Sequence, residues 1–121
     1  MSIIANPSGG GFEIEQSNFN NFSASSTVQW SHNKSKKPMF VQLVLKCTAA
    51  NLGYSVDDQL ILSPTDSHYS NRGFVVDATS NDVLKAYVGS GGLAFIVKGG
   101  GAGSTLADLT KWQMRFRAVF A

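Results

Sequence analysis

The stretch from Trp112 to Phe120 constrains the fold more than any other part of the chain. Trp112, Met114, Phe116, Ala118 and Phe120 alternate there with Gln113, Arg115, Arg117 and Val119. Successive side chains of a β-strand point to opposite faces, so this two-residue period predicts a strand with one apolar and one largely polar face. A helix would scatter the large groups around its circumference. Burying Trp112, Phe116 and Phe120 stabilises the fold by roughly 1.5 to 3 kcal/mol each, enough to decide which face points inward.

The same period recurs upstream. After Pro38, Met39, Val41, Leu43, Leu45 and Cys47 share one face, and Phe40, Gln42, Val44 and Lys46 the other. The first face is expected in the core. The second is half apolar through Phe40 and Val44, which a fully solvated face does not need. Shorter strands are predicted over Phe12 to Gln16, Thr27 to Trp30, Gln59 to Leu62, Gly73 to Asp77, Leu84 to Val88 and Leu93 to Lys98. Gly89, Ser90, Gly91 and Gly92 join the last two, and a glycine-rich reversal predicts that they pair as a hairpin. Thr105 to Lys111 leaves room for at most one helical turn.

No long 3.6-residue period and no internal repeat interrupts this pattern. It predicts an all-β fold, an antiparallel two-layer β-sandwich of jelly-roll-like kind, with about seven to nine short strands. A chain of 121 residues supports one core. Met1 to Gly11, with Pro7, Ser8 and a run of three glycines, reads as a flexible arm or linker; residues 12–121 form the single domain. Cys47 is the lone cysteine and alternates with core positions, which predicts a buried structural thiol.

Only 15% of the residues are charged, against roughly 25% in an average soluble domain. Ten basic and eight acidic residues give a net charge of +2, with only Lys34, Lys36 and Lys37 clustered. Nucleic-acid binding calls for a denser basic face, so no nucleic-acid partner is expected. No apolar run reaches the roughly 18 residues of a membrane helix, and Met1 to Gly11 lacks the basic start and apolar stretch of a secretion signal. Synthesis in a cytoplasm without membrane insertion is the expectation.

Catalytic and metal chemistry find little support in the residue types. His32 and His68 are the only histidines, both in polar segments without a nucleophile motif. Zinc would require several closely spaced Cys or His ligands, and Asp57 with Asp58 lacks the calcium-loop pattern. The glycine run from Gly99 to Gly103 lacks the Lys and Ser/Thr of a phosphate loop. No cofactor, metal or catalytic residue is therefore expected. Among carboxylates, Asp77 and Asp82 are the pair a glycan hydrolase would need to use.

Binding chemistry is better represented. Trp30, Tyr54, His68, Tyr69 and Arg72 combine flat apolar rings with multivalent hydrogen-bonding groups. A pyranose has an apolar C–H face and a ring of hydroxyls, so this mixture suits a sugar. Packing of Trp30 and Tyr54 into the core or its rim is the competing expectation. Phe40, Val44 and Val119, with Arg115 and Arg117 between, are expected to offer a second burial surface to an oligomer mate or another protein.

Several segments together resemble a small β-domain of the tail fibres and other appendage proteins of tailed bacteriophages. They are Trp30, His32 and Pro38; Cys47, Thr48 and Ala49; Gly53, Tyr54 and Ser55 followed by Asp57 and Asp58. Further on they include Asp77, Ala78, Thr79 and Asn81, then Lys98, Gly99, Trp112, Arg117 and Ala118. The resemblance spans residues 28–119 and consists of turns and core positions. Asp57 stands where the pattern has Gly, and Ser80 separates Thr79 from Asn81. It implies a noncatalytic virion protein among other virion proteins, a homotrimeric fibre or spike head adhering to a host-surface glycan. The alternative is a capsid decoration protein bound to the head lattice through its N-terminal arm.

Overall fold

The computed structural model describes residues 11–62, 71–101 and 105–121. Its strands are β1 (Glu13–Gln16), β2 (Asn20–Asn21), β3 (Thr27–Ser31), β4 (Phe40–Cys47), β5 (Gln59–Leu62), β6 (Phe74–Asp77), β7 (Val83–Val88), β8 (Ala94–Phe95), β9 (Thr105–Leu106) and β10 (Trp112–Phe120). One 3-10 turn, Leu109–Lys111, precedes β10 and is capped by Asp108, whose carboxylate accepts the Thr110 amide. Every pairing is antiparallel, in two main sheets. The first runs β1-β10-β4-β5, with β2 beside the start of β10; the second runs β3-β7-β6. The fold is an all-β sandwich, as the alternation predicts.

Strand β10 is the spine of the first sheet. Met114, Phe116, Ala118 and Phe120 are wholly buried and Trp112 nearly so, while the intervening residues are half-exposed. Facing them from the second sheet are Val28, Leu84, Ala86, Val88 and Phe74, with Trp30 and Val76 packed at the margin. Leu43, Leu45 and Cys47 complete the core from β4. The Cys47 thiol is buried and donates to the Ala49 carbonyl at 2.9 Å, the structural role its position suggests.

A bulge interrupts the first edge of this sheet. Gln16 pairs with Arg117 and Asn20 with Met114, so four steps on one side match three on the other. Ser17 bridges the gap: its amide donates to the Phe116 carbonyl at 3.0 Å and its hydroxyl accepts the Phe116 amide at 2.9 Å. The extra residue turns Phe19 onto the outer face of the sheet, where its ring lies 4.0 Å from the Arg115 guanidinium carbon and 4.5 Å from Lys46 Nζ.

Three expectations about pairing and burial need correction. Leu93 to Lys98 does not form a hairpin with β7, because both edges of β7 are already taken by β3 and β6. The glycine turn instead releases the chain toward the end of the sandwich, where Ala94 and Phe95 pair with Leu106 and Thr105. Met39 precedes β4 and is 61% exposed, so the apolar face of that strand begins at Val41. Val44 is only 1% exposed although it lies on the outer face. In register it sits between Arg115 and Ile61, beneath the long side chains that Phe19 draws together.

Candidate functional site

The outer face of the second sheet carries a shallow depression of about 430 Å³. Antiparallel register puts Thr27, Tyr87 and Val75 in one row across β3, β7 and β6, and Gln29, Lys85 and Asp77 in the next. The alternation of β7 sends Leu84, Ala86 and Val88 into the core and leaves Tyr87 on the surface. Tyr87 and Val75 form the apolar floor, both substantially exposed, and Asn71, Arg72 and Ser90 stand at its rim.

The rim is held by close backbone packing. The glycine turn after β7 donates from Gly91 to the Asn71 carbonyl at 2.6 Å and from Gly89 to the Gly73 carbonyl at 2.8 Å. Gly73 in turn donates to Gly92 at 2.9 Å. A Cβ on Gly89 would lie 2.5 Å from the Asn71 carbonyl oxygen, so only glycine allows this approach. The turn residues thus act as a clamp that positions Asn71 and Arg72 beside Tyr87.

Across the sheet, the Tyr87 hydroxyl donates to Asp77 Oδ2 at 2.5 Å, and the Thr79 amide donates to Asp77 Oδ1 at 2.9 Å. The Tyr87 hydroxyl first, and then Thr79, hold the Asp77 carboxyl down at about 2. The same bond pushes the Tyr87 phenol above its ordinary value. At neutral pH the surface presents a fixed aromatic ring and a carboxylate acceptor, flanked by the Asn71 amide and the Arg72 guanidinium. Asp82 is turned elsewhere, its Oδ1 accepting the Ser35 amide at 2.8 Å.

Those of the expected sugar contacts that lie among the described residues, Trp30, Tyr54 and Arg72, do not converge. Trp30 is stacked on Phe116 with ring centroids 6.0 Å apart and meets His32 edge-on at 5.6 Å. Tyr54 packs edge-on against Trp112 and Phe95, at 5.6 and 6.0 Å, and its hydroxyl donates to the Ile96 carbonyl. Both rings are spent on packing, against residues of β10 about 14 Å apart along that strand. His68 and Tyr69 lie outside the described residues, as do residues 1–10 of the arm. Among the described residues, Arg72 is the one expected contact residue that lines the depression. Tyr87, which the sequence reading overlooked, was signalled by its place with Lys85 on the polar side of an alternating strand.

The expected interface residues fall on the opposite surface of the sandwich. Phe40 is 54% exposed and pairs with Val119, which pairs in turn with Ile14, 51% exposed. Arg115 and Arg117 occupy the next outward positions of β10. Val44 belongs to the same face but is already covered within the chain, so it is not available to a partner. Among the described residues no group of three His, Cys, Asp or Glu side chains could hold a metal ion, and no helix is long and apolar enough to cross a membrane.

No family model, curated protein or solved structure matches this chain.

Proposed function

We propose that the chain is a noncatalytic binding domain of a bacteriophage virion, acting as a fibre or spike head that adheres to a host-surface glycan. The Tyr87 surface is the observation that carries the adhesion reading. An exposed ring offers its face to the C–H side of a pyranose, Asp77 accepts hydroxyl protons, and Asn71 and Arg72 donate or bridge at the rim. A shallow, open depression of this kind suits a terminal sugar better than a substrate that must be shielded from water. Asp77, held ionised at about 2, has no proton to give a leaving group at neutral pH, which counts against its use as a hydrolase acid.

The virion setting comes from the resemblance in turns and core positions between residues 28 and 119. Assembly as a homotrimer is part of the same proposal. A glycan array probed with the full chain tests adhesion: one or more host-surface glycans should bind, Tyr87→Ala should abolish the signal, and Tyr87→Phe should retain most of it. Arrays that stay blank, with binding to purified phage capsids instead, would replace this reading by the capsid decoration one. That alternative is favoured by a separate observation, the apolar row of Ile14, Val119 and Phe40, in which Ile14 and Phe40 are exposed. Solution mass by sedimentation tests the trimer.

A further inference from the structure

The outer face of the first sheet, opposite the Tyr87 depression, has an organisation of its own. Arg115 and Arg117 point outward two residues apart on β10, which separates them by about 7 Å along the strand. Gln16 of the neighbouring strand holds both: its Oε1 accepts Arg117 Nε at 3.1 Å and an Arg115 terminal nitrogen at 3.4 Å. The Arg115 guanidinium also lies 4.0 Å over the Phe19 ring, and its Nε is buried without an acceptor.

No carboxylate among the described residues pairs with either arginine. The ion pairs between described residues include those of Lys34 with Glu13 and Glu15, Lys98 with Asp58, and Lys111 with Asp108. Glu13 and Glu15 stand opposite Phe120 and Ala118 in register, on the other face of β1, and both are taken by Lys34 at 2.6 and 2.7 Å. Among the described residues the face therefore carries Arg115, Arg117 and Lys46 with no countercharge, and exposed apolar groups border it: Ile14 and Phe40 on one side, Ile61 on the other.

We infer that this face docks an acidic, extended segment of a second protein, with alternate carboxylates on Arg115 and Arg117 and apolar side chains on Phe40, Ile14 and Ile61. An extended chain repeats its same-side residues every 7 Å or so, the spacing of the two guanidiniums. Their shared hold on Gln16 restricts them before the partner arrives, so less side-chain entropy is lost per bond formed. Arginine set among apolar groups is the usual chemistry of a protein interface core. Face-to-face pairing with a second copy would set arginine against arginine. A nucleic acid needs more cations than these three to neutralise its phosphates. The inference stands on a different sheet from the Tyr87 depression and does not rest on glycan adhesion.

The probe is a labelled ten-residue extended peptide whose same-side positions read Leu, Glu, Glu, Leu with serine between them, titrated into the full chain by fluorescence anisotropy at 0.15 M salt. Binding should weaken by at least about tenfold with the Gln-for-Glu peptide, and likewise in the protein variant Arg115→Gln/Arg117→Gln. Arg117→Lys, which keeps the charge but loses the planar fork, should also weaken it, and thermal melting checks that each variant folds. Equal affinity for the two peptides, no binding at all, or binding unchanged in the double variant overturns the inference. Tighter binding of a ten-residue oligothymidylate overturns it in favour of a general polyanion surface. Self-association of the wild-type chain that the double variant abolishes overturns it in favour of a second copy.

Discussion

The Tyr87 hydroxyl and Asp77 Oδ2, 2.5 Å apart across neighbouring strands β7 and β6, form a short side-chain hydrogen bond on the second sheet's outer face. The bond holds Asp77 ionised down to about 2. A carboxyl depressed in the folded state contributes stability at pH values above its ordinary 3.8, and that contribution is lost as pH falls through about 2. Tyr87→Phe should raise the Asp77 pKa toward 3.8, with Thr79 still holding part of the depression, and flatten that acid-side loss. NMR titration of the Asp77 carboxyl carbon checks the shift. An unchanged midpoint would show that the phenol is not its main cause.

Ser17 supplies a ladder contact through its side chain. Its hydroxyl is the acceptor for the buried Phe116 amide. Ser17→Ala should destabilise the protein by about 1 to 3 kcal/mol, the cost of leaving a buried N–H unpaired. Urea unfolding measures it, and a change below a few tenths would mean the amide finds another partner.

Gly89→Ala should cost stability and reshape the Tyr87 depression together. The added methyl meets the Asn71 carbonyl oxygen at 2.5 Å, a contact with backbone rather than with a side chain that can rotate away. Overpacking of this kind costs about 1 to 3 kcal/mol, and moving Asn71 also moves Arg72. Chemical-shift changes should concentrate at residues 71–75 and 87–92; changes confined to position 89 would contradict this account.

His32 should titrate below its ordinary 6.5. Burial against Phe120, with ring centroids 4.8 Å apart, pushes its pKa down first; Asp82 opposes the shift and Lys34 adds to it. Nδ1 accepts the Lys34 amide at 3.2 Å, which assigns the proton of the neutral ring to Nε2. For a histidine with a lowered pKa the unfolded chain binds the proton first, so stability is full above 6.5 and declines as pH falls below it. His32→Gln should remove that part of the pH dependence, read from melting temperatures between pH 5 and 8. Nitrogen-15 NMR of the ring checks the tautomer.

Much of this architecture was legible in residue order. Alternation in β10 and β4 assigned their inward faces, and Phe40, Val119, Arg115 and Arg117 lie on the outward face as expected. The runs around β3, β5, β6 and β7 were also visible, because each is long enough to show a two-residue period. Strand β8 lies inside the predicted Leu93 to Lys98 run, of which only Ala94 and Phe95 pair, whereas β2 and β9 were not visible, since Asn20–Asn21 and Thr105–Leu106 are too short to carry a period.

The candidate site was far less legible. Trp30 and Tyr54 have the composition of a sugar platform, yet Phe116 and Trp112 claim their faces. Tyr87 has the same composition and stays exposed because, among the described residues, no strand covers the outer face of β7. By itself, then, residue order determined that the chain forms strands, which faces turn inward, and that Cys47 is buried. It did not determine which strand lies beside which, that Val44 is roofed over, or which aromatic rings remain free. A two-residue period is a local steric property of the backbone, whereas partnership and cover depend on residues as distant as Gln16 and Arg117, brought together only when the sandwich closes.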